Sequence, residues 1–228
     1  MIEAIIYDFD GVIGDSEALA NRVLAEMVSE LGHPTTLEDS YRTYMGQRFE
    51  DVLATIARVT GKPLPLDFPA RFQRRTLEAL AARLQPVAGA RDYLTAFADM
   101  PRAVASSSAP ERLAVCLDTL GLATYFADRV FSASMVARGK PHPDIFLLAA
   151  ARIGIAPNAC LVIEDSASGV QAAKAAGMTA LGLLAGSHIQ PHHAEALRTA
   201  GADALAATYA EAAIFTRARR LSGASAPR

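Results

Sequence analysis

Two aspartates, Asp8 and Asp10, directly follow a short apolar run close to the start of the chain, in the stretch DFDGVIGDSE. In an extended chain, residues i and i+2 point to the same side and lie about 6.6 Å apart. One carboxylate could then attack an electrophile while the other reaches the leaving group. Gly11 lets the chain turn away without covering the two side chains. The pair predicts nucleophilic and acid–base chemistry at the end of a strand.

Polar and charged side chains also follow other apolar runs of the chain. Ser106 and Ser107 follow AVA, Lys140 stands in GKPHPD, and Glu164 and Asp165 end the run CLVIED. Hydroxyl and backbone N–H groups can hold an anionic oxygen, and a lysine neutralises negative charge. Carboxylates gathered this closely repel one another unless a divalent cation lies among them, and hard oxygen ligands suit Mg²⁺. The set predicts phosphoryl transfer with a positioned aspartate as nucleophile.

The runs that precede these residues predict a sheet. Short apolar runs bounded by turn residues are typical of buried parallel strands, and helical patterns separate them. The alternation predicts an α/β fold with a doubly wound, mainly parallel, Rossmann-like core, whose ligands bind at the carboxyl ends of the strands. The predicted strands are Ala4–Tyr7, Ala103–Ser106, Arg129–Ser132, Cys160–Asp165 and Thr179–Leu184.

One long segment breaks the alternation. Residues 16–85 contain three helical stretches and no convincing strand, so they predict an all-helical domain inserted just after the first strand. The catalytic core is then expected at residues 1–15 and 86–228. The end of the chain, residues 217–228, is basic and rich in small residues, and it is interpreted as a flexible tail.

The composition favours a cytoplasmic protein. The net charge is −2, which does not suggest a nucleic acid partner. No apolar run approaches the ~20 residues of a membrane helix, and the first strand begins at once, which leaves no room for a secretory signal. The two cysteines are expected to be reduced. We expect a monomer or a weak dimer.

Four stretches in order resemble the haloacid dehalogenase (HAD) superfamily over nearly the whole chain. They are DFDGVIGDSE, VASSS, GKPHPDIF and VIEDSASGVQAAKAAGM. The resemblance implies that Asp8 is the nucleophile and forms an aspartyl-phosphate, and that Asp10 is the general acid and then the base for the hydrolytic water. It also implies that Ser106 binds the transferring phosphoryl group and that Lys140 stabilises the nucleophile and the phosphate.

The same resemblance implies a Mg²⁺ cofactor. Asp8, the backbone carbonyl of Asp10 and Asp165 would hold the ion, and Glu164 would help directly or through water. The inserted helices would form a cap that closes over the substrate.

Each of these residues also has a plainer interpretation. Asp8 and Asp10 could open a calcium-binding loop, although Val12 and the preceding strand disfavour it. Glu164 and Asp165 alone could cap the following helix, and Lys140 alone would be a surface lysine.

Three histidines occur in the stretch SHIQPHHAE. His188, His192 and His193 could hold a second metal ion, but no carboxylate or cysteine lies near them at ligand spacing. A loop over the site or a solvated surface is favoured.

The type of reaction rests on a few further positions. HAD dehalogenases lack the second acid, which is present here as Asp10. Beta-phosphoglucomutases carry a histidine and an arginine where this chain has Ala20 and Phe49, with Arg48 one place earlier. The chain therefore resembles the sugar phosphate and 6-phosphogluconate phosphatase branch, which implies hydrolysis of a small phosphomonoester. A phosphomutase and a non-catalytic module that binds a phosphorylated metabolite stay open as alternatives.

Substrate specificity is expected to reside in the cap. Glu17, where the chain leaves the core, and the loop residues Gly46, Gln47 and Arg48 are the candidates for substrate binding, together with Ser107 in the core. Arg48 could pair with a carboxylate or a second phosphate of the substrate.

Overall fold

The computed structural model describes residues 1–45 and 47–221, and these divide into two compact units. One unit comprises Met1–Asp15 together with the chain from Gln85 onward, and the other comprises Ser16–Leu84. Within the described ranges, none of the helices is both long and apolar enough to cross a membrane.

The first unit is built on a six-stranded sheet in which all neighbouring strands are parallel, in the order β3-β2-β1-β4-β5-β6. This order is that of a doubly wound dinucleotide-binding fold. The strands are β1 (Ala4–Tyr7), β2 (Arg102–Ser106), β3 (Val130–Ser132), β4 (Cys160–Glu164), β5 (Thr179–Leu183) and β6 (Ala204–Ala206).

The second unit is entirely helical over its described residues. Its helices are α1 (Ser16–Glu30), α2 (Leu37–Tyr44), α3 (Phe49–Thr60) and α4 (Phe68–Arg83). Apolar side chains at helical spacing, such as Val23 and Met27 of α1 and Val52 and Ile56 of α3, form its buried core. The short helix α2 was not predicted. It is fixed by a capping box in which Thr36 and Asp39 bond to each other's backbone N–H groups.

The helices of the first unit cover both faces of the sheet. They are α5 (Ala90–Ala96), α6 (Pro110–Thr119), α7 (Ala123–Phe126), α8 (Asp144–Ile153), α9 (Ala167–Ala175), α10 (His193–Thr199) and α11 (Tyr209–Leu221). Side chains alternate between the faces of a strand. Ile6 of β1 belongs to a core that includes Ile145 of α8, whereas Tyr7 contacts the rings of Tyr93 and Phe126 on α5 and α7.

The predicted fold class, an α/β Rossmann-like core with inserted helices, is therefore confirmed. Two local predictions were wrong. The strand β6 was missed, because its three residues Ala-Leu-Ala carry no β-branched or aromatic side chain that would indicate a strand. The predicted tail begins too early, because α11 continues to Leu221 and makes residues 217–221 helical. Residues 222–228 lie outside the described residues.

Candidate active site

The sheet register brings the predicted acidic residues together at its carboxyl edge. Tyr7 of β1 pairs with Val104 of β2 on one side and with Ile163 of β4 on the other. Asp8 and Glu164 therefore follow at the same level of neighbouring strands, and the backbone N–H of Asp8 donates to the carbonyl of Ile163 at 3.0 Å. The side chains at the ends of β1 and β4 thus face one site, as expected for the carboxyl edge of a parallel sheet.

Lys140 reaches this edge from the loop that precedes α8. Its Nζ donates to Asp8 Oδ1 and Glu164 Oε1, both at 2.6 Å, and to the carbonyl of Ala105 at 3.0 Å. The side chain is 4% exposed. Burial alone would lower the pKa of Lys140, but the carboxylates of Asp8 and Glu164 outweigh it and raise that pKa. Lys140 is therefore a buried ammonium that bridges two carboxylates.

Glu164 is fixed by the segment that begins α9. Its Oε2 accepts from the backbone N–H groups of Asp165 and Ser166, at 3.0 and 2.9 Å, and from the Ser166 hydroxyl at 2.9 Å. The carboxylate is completely buried. Because Oε1 bonds to Lys140, Glu164 joins the lysine to the start of the helix.

Gly169 in α9 leaves just enough room for this arrangement. A Cβ at Gly169 would lie 1.7 Å from Glu164 Oε1 and 1.9 Å from its Cδ. Alanine is ordinarily the better helix residue by about 1 kcal/mol. Any loss of stability on adding this methyl group would therefore come from the displaced carboxylate.

We expect Gly169→Ala to lower the free energy of unfolding by about 1–3 kcal/mol, the usual cost of overpacking, and to weaken any activity that depends on Lys140. Chemical denaturation measures the first effect. The matched control is Gln171→Ala on the exposed face of the same helix, which should leave stability nearly unchanged. A gain of about 1 kcal/mol in the Gly169→Ala protein, the ordinary advantage of alanine in a helix, would show that Glu164 can move without cost.

Asp165 occupies the other side of the site, against His188. Its Oδ2 lies 3.0 Å from Nε2 of His188, and both side chains are buried. Burial raises the pKa of Asp165, and the bond from His188 partly opposes that rise. Gly11 packs against this pair with φ of 74°, and a Cβ there would lie 1.9 Å from Asp165 Oδ2. Gly11 is therefore required for space as well as for the turn.

Three buried carboxylates form a group that could hold a metal ion. Asp8, Glu164 and Asp165 each offer one oxygen, and these oxygens lie within 4.8 Å of one another. Burial raises the pKa of Asp8 well above its ordinary value; Lys140 opposes that rise, whereas Glu164 and Asp165 add to it. A divalent cation would relieve this repulsion, and the all-oxygen donor set fits Mg²⁺.

The carboxylate of Asp10 bonds to other partners than the carboxylates of Asp8, Glu164 and Asp165 do. The Ser108 hydroxyl donates to Oδ2 at 2.6 Å, and Nη2 of Arg112 donates to Oδ1 at 2.7 Å. The Ser106 hydroxyl lies 3.4 Å from Oδ2, and the Ser106 side chain is buried. Ser107, by contrast, is exposed. The segment after β2 therefore holds Asp10, while Lys140 holds Asp8.

Comparison with known proteins identifies the family. The family model described as haloacid dehalogenase-like hydrolase matches residues 2–177. The chain belongs to this family. The predicted resemblance to HAD hydrolases is therefore confirmed over most of the sequence.

Curated relatives of this HAD chain include several phosphatases. The 6-phosphogluconate phosphatase of Escherichia coli is 26% identical over 191 residues, which cover 83% of this chain and 86% of that protein. The phosphorylated carbohydrates phosphatase of Thermotoga maritima is 33% identical over 180 residues, with 78% and 82% covered. The chloroplastic protein SUPPRESSOR OF QUENCHING 1 of Arabidopsis thaliana is 33% identical over 184 residues, and this match covers 78% of the chain but 17% of that longer protein.

Solved structures show the same family likeness. A HAD family hydrolase from Deinococcus radiodurans with bound phosphate and sodium is 35% identical, with a TM-score of 0.84 and coverage of 97% of this chain and 98% of that one. A candidate beta-phosphoglucomutase from Thermotoga maritima is 30% identical, with a TM-score of 0.79 and coverage of 95% and 99%. The chain is thus an enzyme of a hydrolase family whose relatives include phosphatases, as predicted.

Three side chains in contact with the predicted acidic residues do not follow from the sequence pattern. The pattern points to neither Ser108 nor Arg112, and it leaves His188 either in a loop over the site or on a solvated surface. The hint for Arg112 was its place one turn into the helix that begins at Pro110, because that turn directly follows the serine run. His188 follows the end of β5, which reaches the same edge of the sheet.

The predicted cap residues lie in the helical unit. Glu17 belongs to the first turn of α1 and is half-buried. Gln47 is exposed and donates from its side chain to the Thr43 carbonyl at 2.6 Å, and Arg48 is exposed at the start of α3. Gly46 lies outside the described residues. A role of these four residues in substrate binding stays a prediction.

Proposed function

We propose that this HAD hydrolase is a Mg²⁺-dependent phosphatase that cleaves a small phosphomonoester through an aspartyl-phosphate at Asp8. The observation that carries the proposal is the buried cluster in which Asp8 shares Lys140 with Glu164 and lies beside Asp165. A nucleophilic carboxylate next to a buried ammonium can accept a phosphoryl group whose added negative charge the ammonium stabilises.

In the first step, a carboxylate oxygen of Asp8 attacks the phosphorus in line with the leaving oxygen. The new bond joins Asp8 to phosphorus, and the leaving oxygen departs with the electron pair of the broken ester bond. Lys140, fixed by Glu164, places its positive charge beside the phosphoryl oxygens. Magnesium held by Asp8, Asp165 and the backbone carbonyl of Asp10 would supply further positive charge at these oxygens.

Asp10 exchanges protons in both steps. In the first step it gives a proton to the departing alkoxide, and in the second step it takes a proton from the water that attacks the phosphorus of the aspartyl-phosphate. The Ser106 hydroxyl lies beside Asp10 at the end of β2, which supports the proposal that it holds a phosphoryl oxygen. Asp8 returns to a free carboxylate as inorganic phosphate leaves.

The proposed substrate class is phosphorylated sugars and sugar acids. Support comes from the two bacterial relatives, which are a 6-phosphogluconate phosphatase and a phosphorylated carbohydrates phosphatase. We propose that the helical unit selects among these substrates, since the phosphate-binding residues of the core cannot distinguish one ester from another.

A phosphomutase is the second candidate, favoured by the likeness to the candidate beta-phosphoglucomutase. Two positions speak against a mutase, because Ala20 and Phe49 stand where that branch carries its characteristic histidine and arginine. A hexose 1-phosphate supplied with a bisphosphate activator would distinguish the two, because a mutase forms the 6-phosphate and a phosphatase releases inorganic phosphate.

The decisive assay is release of inorganic phosphate from a panel of sugar phosphates, sugar-acid phosphates and 4-nitrophenyl phosphate, with added Mg²⁺ and with a chelator. We expect release that the chelator stops and that Mg²⁺ restores. No release from any substrate above the level of an Asp8→Asn control would contradict the proposal and favour a protein that only binds a phosphorylated metabolite.

Asp10→Ala should slow turnover of a sugar phosphate by at least 10²-fold, within the range of about 10² to 10⁴ that general acid–base groups supply. The effect should be smaller for formation of the aspartyl-phosphate from an aryl phosphate, whose leaving group needs no proton. Stopped-flow measurement of phenolate release followed by steady-state phosphate release separates the two steps. An equal loss in both steps would contradict the acid–base role.

A further inference from the structure

The carboxylate of Asp10 is held at both oxygens by side chains from one segment of the core, the loop and first helical turn after β2. Oδ1 accepts from Arg112 at 2.7 Å and Oδ2 accepts from Ser108 at 2.6 Å. Hydrogen bonds with an ionised partner and this short length are among the strong ones in proteins. Two donors on different oxygens fix the rotation of the carboxylate as well as its position.

The two donors are themselves held in place. Ser108 donates its backbone N–H to the Ser106 hydroxyl at 3.1 Å, and its carbonyl accepts from the Ser132 hydroxyl at 2.8 Å. Arg112 is the third residue of α6, whose start is set by Pro110. The segment that carries Ser108 and Arg112 is therefore a fixed support for the carboxylate of Asp10.

The Arg112–Asp10 pair differs from the ion pairs on the surface of this protein. The two side chains are 24% and 14% exposed, whereas those of Arg198 and Glu195 on α10 are 62% and 76% exposed. Exposed pairs contribute little to stability and do not fix geometry. Because the Arg112–Asp10 pair is half-buried, Arg112 restricts the positions that the carboxylate of Asp10 can take.

We propose that Arg112, together with Ser108, is a positioning residue that fixes Asp10 in the orientation from which it serves the leaving oxygen and the hydrolytic water. This inference rests on the proposed function, because the role of Asp10 does. Arg112 acts through Asp10 and does not touch the substrate.

Arg112→Met should lower kcat for a sugar phosphate on the order of 10- to 100-fold, because small misplacement of a reacting group can cost about 10²-fold. KM should change little, since substrate binding is retained. Arg112→Lys should recover part of the loss, because lysine keeps the charge but lacks the planar donor fork. Arg198→Met is the matched control and should behave as wild type.

A double-mutant cycle with Asp10→Ala tests whether Arg112 acts through Asp10. In the Asp10→Ala background, Arg112→Met should have almost no further effect on turnover of 4-nitrophenyl phosphate. A full additional loss, or a large rise in KM, would overturn the proposal and point to a direct contact between Arg112 and the substrate. Should Arg112→Met not fold, Arg112→Lys and Ser108→Ala complete the same cycle.

The first step of the reaction gives an independent readout. With 4-nitrophenyl phosphate, the initial rate of phenolate release should be nearly unchanged in Arg112→Met, while steady-state turnover falls. An equal loss in both phases would assign Arg112 a merely structural role. Wild-type protein without phosphatase activity would instead contradict the proposed function itself, so the two failures are distinguishable.

Discussion

Asp8→Asn should abolish phosphate release from every substrate that the wild-type protein hydrolyses. The amide has almost the same size and shape as the carboxylate but is a poor nucleophile, so that no phosphoryl–enzyme bond forms. The substitution also relieves repulsion among three buried carboxylates, and Glu164 still pairs with Lys140. The variant should therefore stay folded, and its loss of activity should be a loss of chemistry. Steady-state phosphate release under saturating substrate and Mg²⁺ measures the effect.

The matched control for this prediction is Asp118→Asn, which makes the same chemical change at an exposed position of α6. It should retain wild-type turnover. Thermal unfolding of both variants would establish that the comparison is between folded proteins. Turnover of Asp8→Asn at the wild-type level would exclude Asp8 as the nucleophile.

Lys140→Met should produce the second large effect, on stability and activity together. The substitution leaves Asp8 and Glu164 buried without the ammonium that bonds to both at 2.6 Å. Removing one partner of a buried ion pair typically costs about 3–5 kcal/mol of folding free energy. Activity should fall by at least about 10²- to 10³-fold, as expected when one preorganised stabiliser of a charged transition state is lost.

A second lysine provides the control for this prediction. Lys174 pairs with Asp203 at 2.7 Å, but its side chain is 36% exposed and it lies on α9. Lys174→Met should cost at most about 1 kcal/mol, in keeping with partly exposed pairs, and should leave activity intact. The account of Lys140 would be wrong if the two variants had equal stability in chemical denaturation and equal turnover.

The sequence predicted the part of the fold in which buried strands alternate with helices. Buried runs such as Ala4–Tyr7 and Cys160–Glu164 indicated parallel strands, because each is flanked by turn residues and followed by a helical pattern. Once strands are parallel, their carboxyl ends share one edge, so that Asp8, Glu164 and Lys140 could be expected together. The strand β6 was missed because three residues without β-branched side chains give almost no periodic signal.

The contacts that the sequence did not predict depend on the directions of individual side chains in the folded chain. Arg112 meets Asp10 although 102 residues separate them in the sequence, and His188 meets Asp165 from the loop after β5. No local pattern of residue types encodes either contact. The same holds for Gly169, which looks like an ordinary weak helix residue until Glu164 is placed against it.

The two aspartates near the start of the chain have different partners. Asp8 is tied to Lys140 and the acidic cluster, whereas Asp10 is tied to Ser108 and Arg112. These separate partners are consistent with the proposal that Asp8 carries the phosphoryl group and that Asp10 gives and takes protons. Their separate partners support the two roles that spacing alone could only suggest.

The most direct test of the central proposal is to identify the phosphorylated residue during turnover. Wild-type protein hydrolysing 4-nitrophenyl phosphate would be quenched with acid, reduced with borohydride to convert an acyl phosphate to homoserine, digested and analysed by mass spectrometry. The proposal predicts homoserine in place of Asp8, with none in the Asp8→Asn variant. Continued turnover with Asp8 unmodified, or modification of a different residue, would contradict it.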